Sequence, residues 1–175
     1  MDSTVPQSTV SRSEFRDAMA RVCAPVNVIT TRGKGGRGGF TATAMCSVTD
    51  EPPSLLICMN RRSAQAALFI ENGRFCVNVL APQHKALAGD FAGRQADMEA
   101  RYATADWIDL PSGNQALADA IVAFDCRLTE LRPVGTHNIL IGEVIGLTSR
   151  PDGPALLYFQ RSYVHVTAEL GSFGG

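Results

Sequence analysis

Residues able to do chemistry are sparse in this chain and fall into a few groups. Gly33-Lys34-Gly35-Gly36-Arg37-Gly38 matches the G-x-G-x-x-G pattern, which between a strand and a helix aims backbone amides at a pyrophosphate. Phe40-Thr41-Ala42-Thr43 follows it, and these β-branched and aromatic residues predict a strand instead of a helix, so no Rossmann site is expected. What remains is a basic hairpin that can meet a nucleotide phosphate through Lys34 and Arg37, or serve only as a flexible turn.

Gly39 to Val48 is richer. Small and hydroxylated residues recur where a buried strand would carry Val, Ile or Leu. Such a stretch lets a flat ring approach the backbone, with amides and hydroxyls reaching its polar edge; tight strand packing accounts for the same pattern. Asn60-Arg61-Arg62-Ser63 lies between a strand end and a helix start, where amides, a hydroxyl and a guanidinium can converge on a phosphate. The bland alternative is a helix cap at Ser63 with solvated arginines. His137, just after Gly135-Thr136, stands at the mouth of a strand, as a ligand contact or a structural histidine. His84, His137 and His165 lie far apart, and no H-x-H or H-E-x-x-H occurs, so no metal site is expected. Neither a G-x-S-x-G elbow nor a Cys-His-acid constellation is present.

The elements that must position these groups read as mainly β. Ser11-Arg12-Ser13-Glu14 has the form of a capping box, and Phe15, Ala18, Met19 and Val22 follow at helical spacing. Alternation predicts strands over 26–31, 40–48, 54–60, 75–80, 121–131, 136–147, 155–159 and 163–166. Short helices are expected from Ser63 to Phe69, ended by Asn72-Gly73, and from Pro82 to about Phe91. Along 136–147, His137, Ile139, Ile141, Glu143, Ile145 and Leu147 share one face. Residues 93–114 are polar and weakly periodic, a long surface excursion that could act as a lid. Strands without regular alternating helices point to a mostly antiparallel barrel.

Composition sets the bounds. A chain of 175 residues, 45% hydrophobic and 19% charged with a net charge of -1, fits one ordinary core and does not seek nucleic acid. Its apolar runs are too short to span a membrane, and residues 1–12 have no apolar signal core. Five widely spaced cysteines without a C-x-x-C pair read as reduced, mostly buried thiols in a cytoplasmic protein. Residues 1–12 are read as a lead-in, 13–170 as a single domain and 171–175 as a tail.

Taken in order, Phe15-Arg16-Asp17-Ala18-Met19, Val26 to Thr31, Gly39 to Val48, Pro52 to Leu56, Phe75 to Leu80, Gly135-Thr136-His137 and Gly142-Glu143-Val144 resemble the short-chain flavin reductases that serve two-component flavin monooxygenases. The resemblance covers most of the chain. It implies a split β-barrel of the Greek-key, FMN-binding type and a homodimer with flavin sites near the subunit interface. The implied activity is reduction of dissociable FMN or FAD by NADH or NADPH, for delivery to a partner flavin-dependent monooxygenase. By position, Thr41, Ala42, Thr43, Ser47 and Val48 would line the isoalloxazine ring, and Cys58, Asn60, Arg62 and Ser63 would reach the ribityl chain and phosphate. Phe91 would border an adenine or nicotinamide. His137 and Tyr163 would form the nicotinamide side, His137 as the candidate catalytic residue that orients the nucleotide. Family members place a histidine directly after the C-terminal aromatic residue, whereas here Val164 separates Tyr163 from His165. Competing readings are a non-catalytic flavin- or haem-binding split barrel and an oxidase of the pyridoxamine phosphate type, the latter lacking obvious phosphate-reading arginines.

Overall fold

The capping box forms as its sequence requires. Ser11 Oγ accepts from the Glu14 N–H at 3.2 Å, and the Glu14 carboxylate accepts from the Ser11 N–H at 2.8 Å, which starts helix α1 (Arg12–Met19). The computed structural model describes residues 9–167. The expected tail at 171–175, and residues 1–8 of the expected lead-in, lie outside that range.

After α1, the chain lays down β1 (Ala24–Pro25), β2 (Asn27–Gly33), β3 (Gly36–Ala42), β4 (Met45–Asp50) and β5 (Pro53–Asn60). Helix α2 (Ala66–Asn72) and β6 (Arg74–Val79) follow. Next come a 3-10 turn at Pro82–His84, α3 (Lys85–Gly89), a π turn at Asp90–Arg94 and α4 (Met98–Tyr102). The rest is β7 (Trp107–Asp109), β8 (Gln115–Leu117), β9 (Val122–Val134), β10 (His137–Ser149), β11 (Ala155–Phe159) and β12 (Ser162–Val166).

Seven strands form one antiparallel sheet in the order β3-β2-β6-β9-β10-β5-β4. Its two edges, β3 and β4, are consecutive in the chain and joined only by Thr43-Ala44. The sheet must therefore curl until its edges nearly meet, yet they do not pair. This is a split barrel, as expected. The stretch 40–48, expected as one strand, is thus two strands around a corner. Ala42 is buried there, and the Asn27 side-chain amide donates to its carbonyl at 3.2 Å.

Glycine spacing makes the first hairpin. Gly33 pairs with Gly36 around Lys34-Gly35, and Gly36 has a φ of 107°, a left-handed conformation suited to glycine. The tip is clamped: Asn72 accepts from the Gly35 N–H at 2.8 Å and donates to the Gly36 carbonyl at 3.0 Å. Gly73, at φ 62°, ends α2 as the Asn-Gly signal requires. The helix begins at Ala66, not Ser63; Ser63 Oγ instead accepts from the Gln65 N–H at 3.2 Å in a local turn.

Two cores flank the central strands. Ile29, Leu55, Ile57, Met59, Phe69, Phe75, Val77 and Leu140 fill the barrel, where Phe75 passes so close to Gly142 that a Cβ there would meet its ring at 2.6 Å. Val28 and Cys76 point the other way into a second core with Phe91, Tyr102, Leu117 and Leu156. Each of β2 and β6 is buried on both faces, because alternate side chains feed different cores. Residues 93–114, expected as a surface excursion, help build that second core. Tyr102 donates to the Gly38 carbonyl at 2.9 Å, Trp107 donates to the Tyr102 carbonyl at 2.9 Å, and Asn114 is fully buried.

Candidate active site

The corner at Thr43-Ala44 forms one wall of a cleft of about 730 Å³. Leu56 and Cys58 of β5 continue this wall, while Phe15, Arg16 and Met19 of α1, with Tyr158 and Arg161 of the β11–β12 hairpin, form the other. No residue of α1 is buried, and Phe15 and Met19 remain 59% and 49% exposed. This leaves an apolar helix face open toward the cleft.

Register extends the β5 wall upward. Leu56 lies opposite Ile141, Cys58 opposite Ile139 and Asn60 opposite His137. Side chains two apart on a strand share a face, so Asn60 and His137 stand beyond Cys58 on the cleft-facing side of β5 and β10. Both are exposed. His137 Nδ1 lies 2.9 Å from the neighbouring Thr136 hydroxyl. Asn60 Oδ1 accepts from the Arg62 N–H at 2.9 Å, which shapes the loop. Arg61 is held by the β9–β10 turn: its N–H donates to the Thr136 carbonyl at 3.0 Å and its guanidinium to the Gly135 carbonyl at 3.3 Å. Arg62 is left exposed.

The expected site residues therefore divide. Thr43 and Cys58 line the cleft, and Asn60, Arg62, Ser63 and His137 gather at the end of its β5 wall. Ser47 and Val48 continue along β4 and are exposed. Thr41 and Ala42 support the corner from behind, Thr41 by donating to the Ala88 carbonyl at 2.6 Å. Phe91 is only 2% exposed, its ring packed 5.3 Å from Tyr102 and 5.9 Å from Trp107; this position, expected beside a nucleotide, is a packing position. Tyr163 sits on β12, 5.5 Å from the cleft-lining Tyr158, and packs against the second core. Its half-burial, together with Tyr158, raises the phenol pKa.

Sequence reasoning missed the opposite wall: Phe15, Arg16, Met19, Tyr158 and Arg161. The apolar spacing of α1 was the available signal, because it marks a face that none of the other described residues buries. The cysteines also divide. Cys76 and Cys126 are buried, and burial raises both thiols, Cys126 to about 12. Cys23, Cys46 and Cys58 instead line the cleft, with Cys58 raised by partial burial and then by nearby Cys46. The basic hairpin is not a loose phosphate loop, since Arg37 pairs with Glu99 and lies 4.1 Å over the Tyr102 ring. His84 is structural: Nδ1 accepts from the Ala81 N–H at 3.1 Å, and Nε2 lies 2.9 Å from Asp119. Among the described residues no group of three or more His, Cys, Asp and Glu can hold a metal, and no helix is long and apolar enough to cross a membrane.

Comparison with known proteins fixes the family. The flavin reductase-like domain matches residues 19–167. The chain belongs to the flavin reductase-like family. It is 47% identical over 157 residues to the FMN reductase (NADH) RutF of Pantoea ananatis, covering 90% of this chain and 82% of that one. Its RutF counterpart in Ancylobacter novellus is 48% identical over 159 residues, covering 91% and 87%. A crystal structure from Haemophilus somnus 129pt superposes with a TM-score of 0.86 at 40% identity, covering 90% of this chain and all of that one. The NADH:FAD oxidoreductase SgcE6 of Streptomyces globisporus C-1027, solved with NAD and FAD fragments, gives 0.83 at 26% identity, covering 94% and 99%. Component B of a nitrilotriacetate monooxygenase from Mycobacterium thermoresistibile gives 0.82 at 26%, covering 89% and 86%. Membership bears out an enzyme of the flavin reductase class.

Proposed function

We propose that this protein oxidises NADH to reduce FMN held transiently in the cleft, then releases the reduced flavin to a flavin-dependent monooxygenase. The observation that carries the reading is the cleft itself. It has the size of a small-molecule site, one wall built of Thr43, Ala44, Cys46 and Cys58, and polar Asn60, Arg62 and His137 at the end of that wall. The RutF relatives are named for FMN and NADH, which favours that pair over FAD and NADPH.

With both bound, the nicotinamide would supply a hydride and the flavin would accept it, chemistry that belongs to the two nucleotides and asks the protein to orient them and keep water out. The chain's work is positional. Small side chains at the corner admit a flat ring against the backbone, Asn60 and Arg62 offer donors to a ribityl chain and phosphate, and Phe15 and Met19 supply an apolar cover. His137 presents an imidazole to the nicotinamide side and needs no acidic partner to do so.

Two further parts of the reading rest on surface chemistry. Val134, Ile145 and Leu147 on the outward faces of β9 and β10 are 56%, 49% and 61% exposed. Together with the uncovered α1 face they favour a homodimer with the cleft at its edge. Exposed free Cys23 and Cys46 suit a reducing cytoplasm.

Loss of nicotinamide absorbance with NADH, followed without flavin, with FMN and with FAD, tests the proposal. Fast turnover only with added flavin, and best with FMN, is expected; a flavin that stays bound through purification with no turnover would favour the non-catalytic binder.

A further inference from the structure

The wall of the cleft away from β5 carries two guanidiniums, Arg16 on α1 and Arg161 at the tip of the β11–β12 hairpin. The tip is strained. Gln160 and Arg161 have φ values of 47° and 61° and are the only non-glycine residues with positive φ among the described residues. A two-residue hairpin in this conformation ordinarily takes Asn, Asp or Gly, and strained backbone of this kind collects at functional sites.

The strained tip is also fastened. Gln160 donates its N–H to the Ala20 carbonyl at the end of α1 at 2.7 Å, and Arg161 Nη2 pairs with Asp17 one turn earlier. Among the described residues the guanidinium is engaged through Nη2 alone, which leaves the rest of its planar fork unengaged by them, and the Arg161 side chain is 61% exposed. Arg16 comes from the same helix and lines the same cleft. Two cations from separate elements, one held in a costly conformation by two contacts, form a prepared anion site.

We infer that Arg16 and Arg161 bind the phosphate groups of the nicotinamide nucleotide. This rests on the function proposed above: Asn60 and Arg62, at the β5 end, serve the flavin phosphate, so an anion site on the α1 wall is free for the second substrate. The fork of Arg161 grips the phosphates while the nicotinamide reaches back toward the corner, and Asp17 keeps the guanidinium aimed when the site is empty.

Glycine at the strained position separates binding from folding, because Arg161→Gly removes the guanidinium and relieves the backbone. NAD+ and FMN are titrated separately by calorimetry into wild type, Arg161→Gly and Arg16→Gln, with thermal unfolding and NADH kinetics alongside. In Arg161→Gly, NAD+ binding is expected to weaken about tenfold or more, as loss of a charge-assisted contact implies. The KM for NADH should rise with it, FMN affinity should stay within about twofold, and the melting temperature should hold or rise. Arg16→Gln should show a smaller shift in the same direction. Unchanged NAD+ affinity in Arg161→Gly, or a loss confined to FMN, overturns the inference. Wild type that binds NAD+ through Arg161 yet never oxidises NADH with flavin overturns the proposed function and leaves the anion site standing; wild type that binds no nicotinamide nucleotide overturns both.

Discussion

Phe15 and Phe91 are alike in chemistry and opposite in fate. Phe91 is enclosed by Tyr102 and Trp107, in a region where Tyr102 and Trp107 each donate a hydrogen bond and Asn114 is fully buried. Phe15 stands 59% exposed on a helix with no buried residue, in a cleft that it shares with the exposed thiols of Cys23 and Cys46. One side of the molecule satisfies itself, and the other leaves apolar and polar groups open together. Burial of apolar surface is what stabilises a fold, and among the described residues the α1 side forgoes it.

Substitutions can break or sharpen this contrast. The largest effect is expected from Phe91→Ala, which opens a cavity in the second core and should cost about 3–5 kcal/mol in denaturant unfolding; Phe15→Ala should cost under about 1 kcal/mol while raising the KM for FMN several-fold. His137→Ala should raise the KM for NADH about tenfold with an unchanged melting temperature, since its one side-chain partner among the described residues is the adjacent Thr136 hydroxyl. An unchanged KM there would remove His137 from the site. Tyr102→Phe, which removes the hydroxyl donor to the Gly38 carbonyl, should lower stability by about 1–2 kcal/mol and leave flavin kinetics alone.

The smallest effect concerns pH. Burial of Asp119 pushes its carboxyl up, but hydrogen bonds from Gln83 and His84 outweigh this and hold it below the ordinary value. Its contribution is therefore present above the unfolded pKa, about 3.9, and is lost as pH falls through the lowered folded value. Because Asp119 is mostly solvated, the loss should stay below about 1 kcal/mol. Urea midpoints between pH 6 and pH 3 should fall slightly less for Asp119→Asn than for wild type.

Local signals were legible where one short motif fixes geometry. The capping box at Ser11, the glycine hairpin at Gly33 and the left-handed Gly73 all formed as their residues require. The break at Thr43-Ala44 was not, because no glycine or proline marks it and the corner is imposed by closure of the sheet. Residues 93–114 hid a five-residue helix and a three-residue strand, too short to show a period. On β10, bulges near Gly142 and Gly146 interrupt the alternation; the face that begins with His137, Ile139 and Ile141 is the less buried one, and Asn138, Leu140 and Gly142 point in. Of the candidate site, the β5 wall could be read from residue types in order, whereas the α1 and β11 wall depends on contacts between distant segments, such as that of Gln160 with Ala20.

The central claim is that flavin binds between α1 and the corner at Thr43-Ala44. The five cysteines test it without any mutation, because Cys23, Cys46 and Cys58 line the cleft while Cys76 and Cys126 are buried. Alkylation followed by mass spectrometry, with and without saturating FMN, should show Cys46 and Cys58 slowed about tenfold by flavin, with Cys76 and Cys126 unreactive throughout. Equal labelling of Cys46 and Cys58 in both samples, in protein that still turns over FMN, would place the flavin elsewhere and contradict the account.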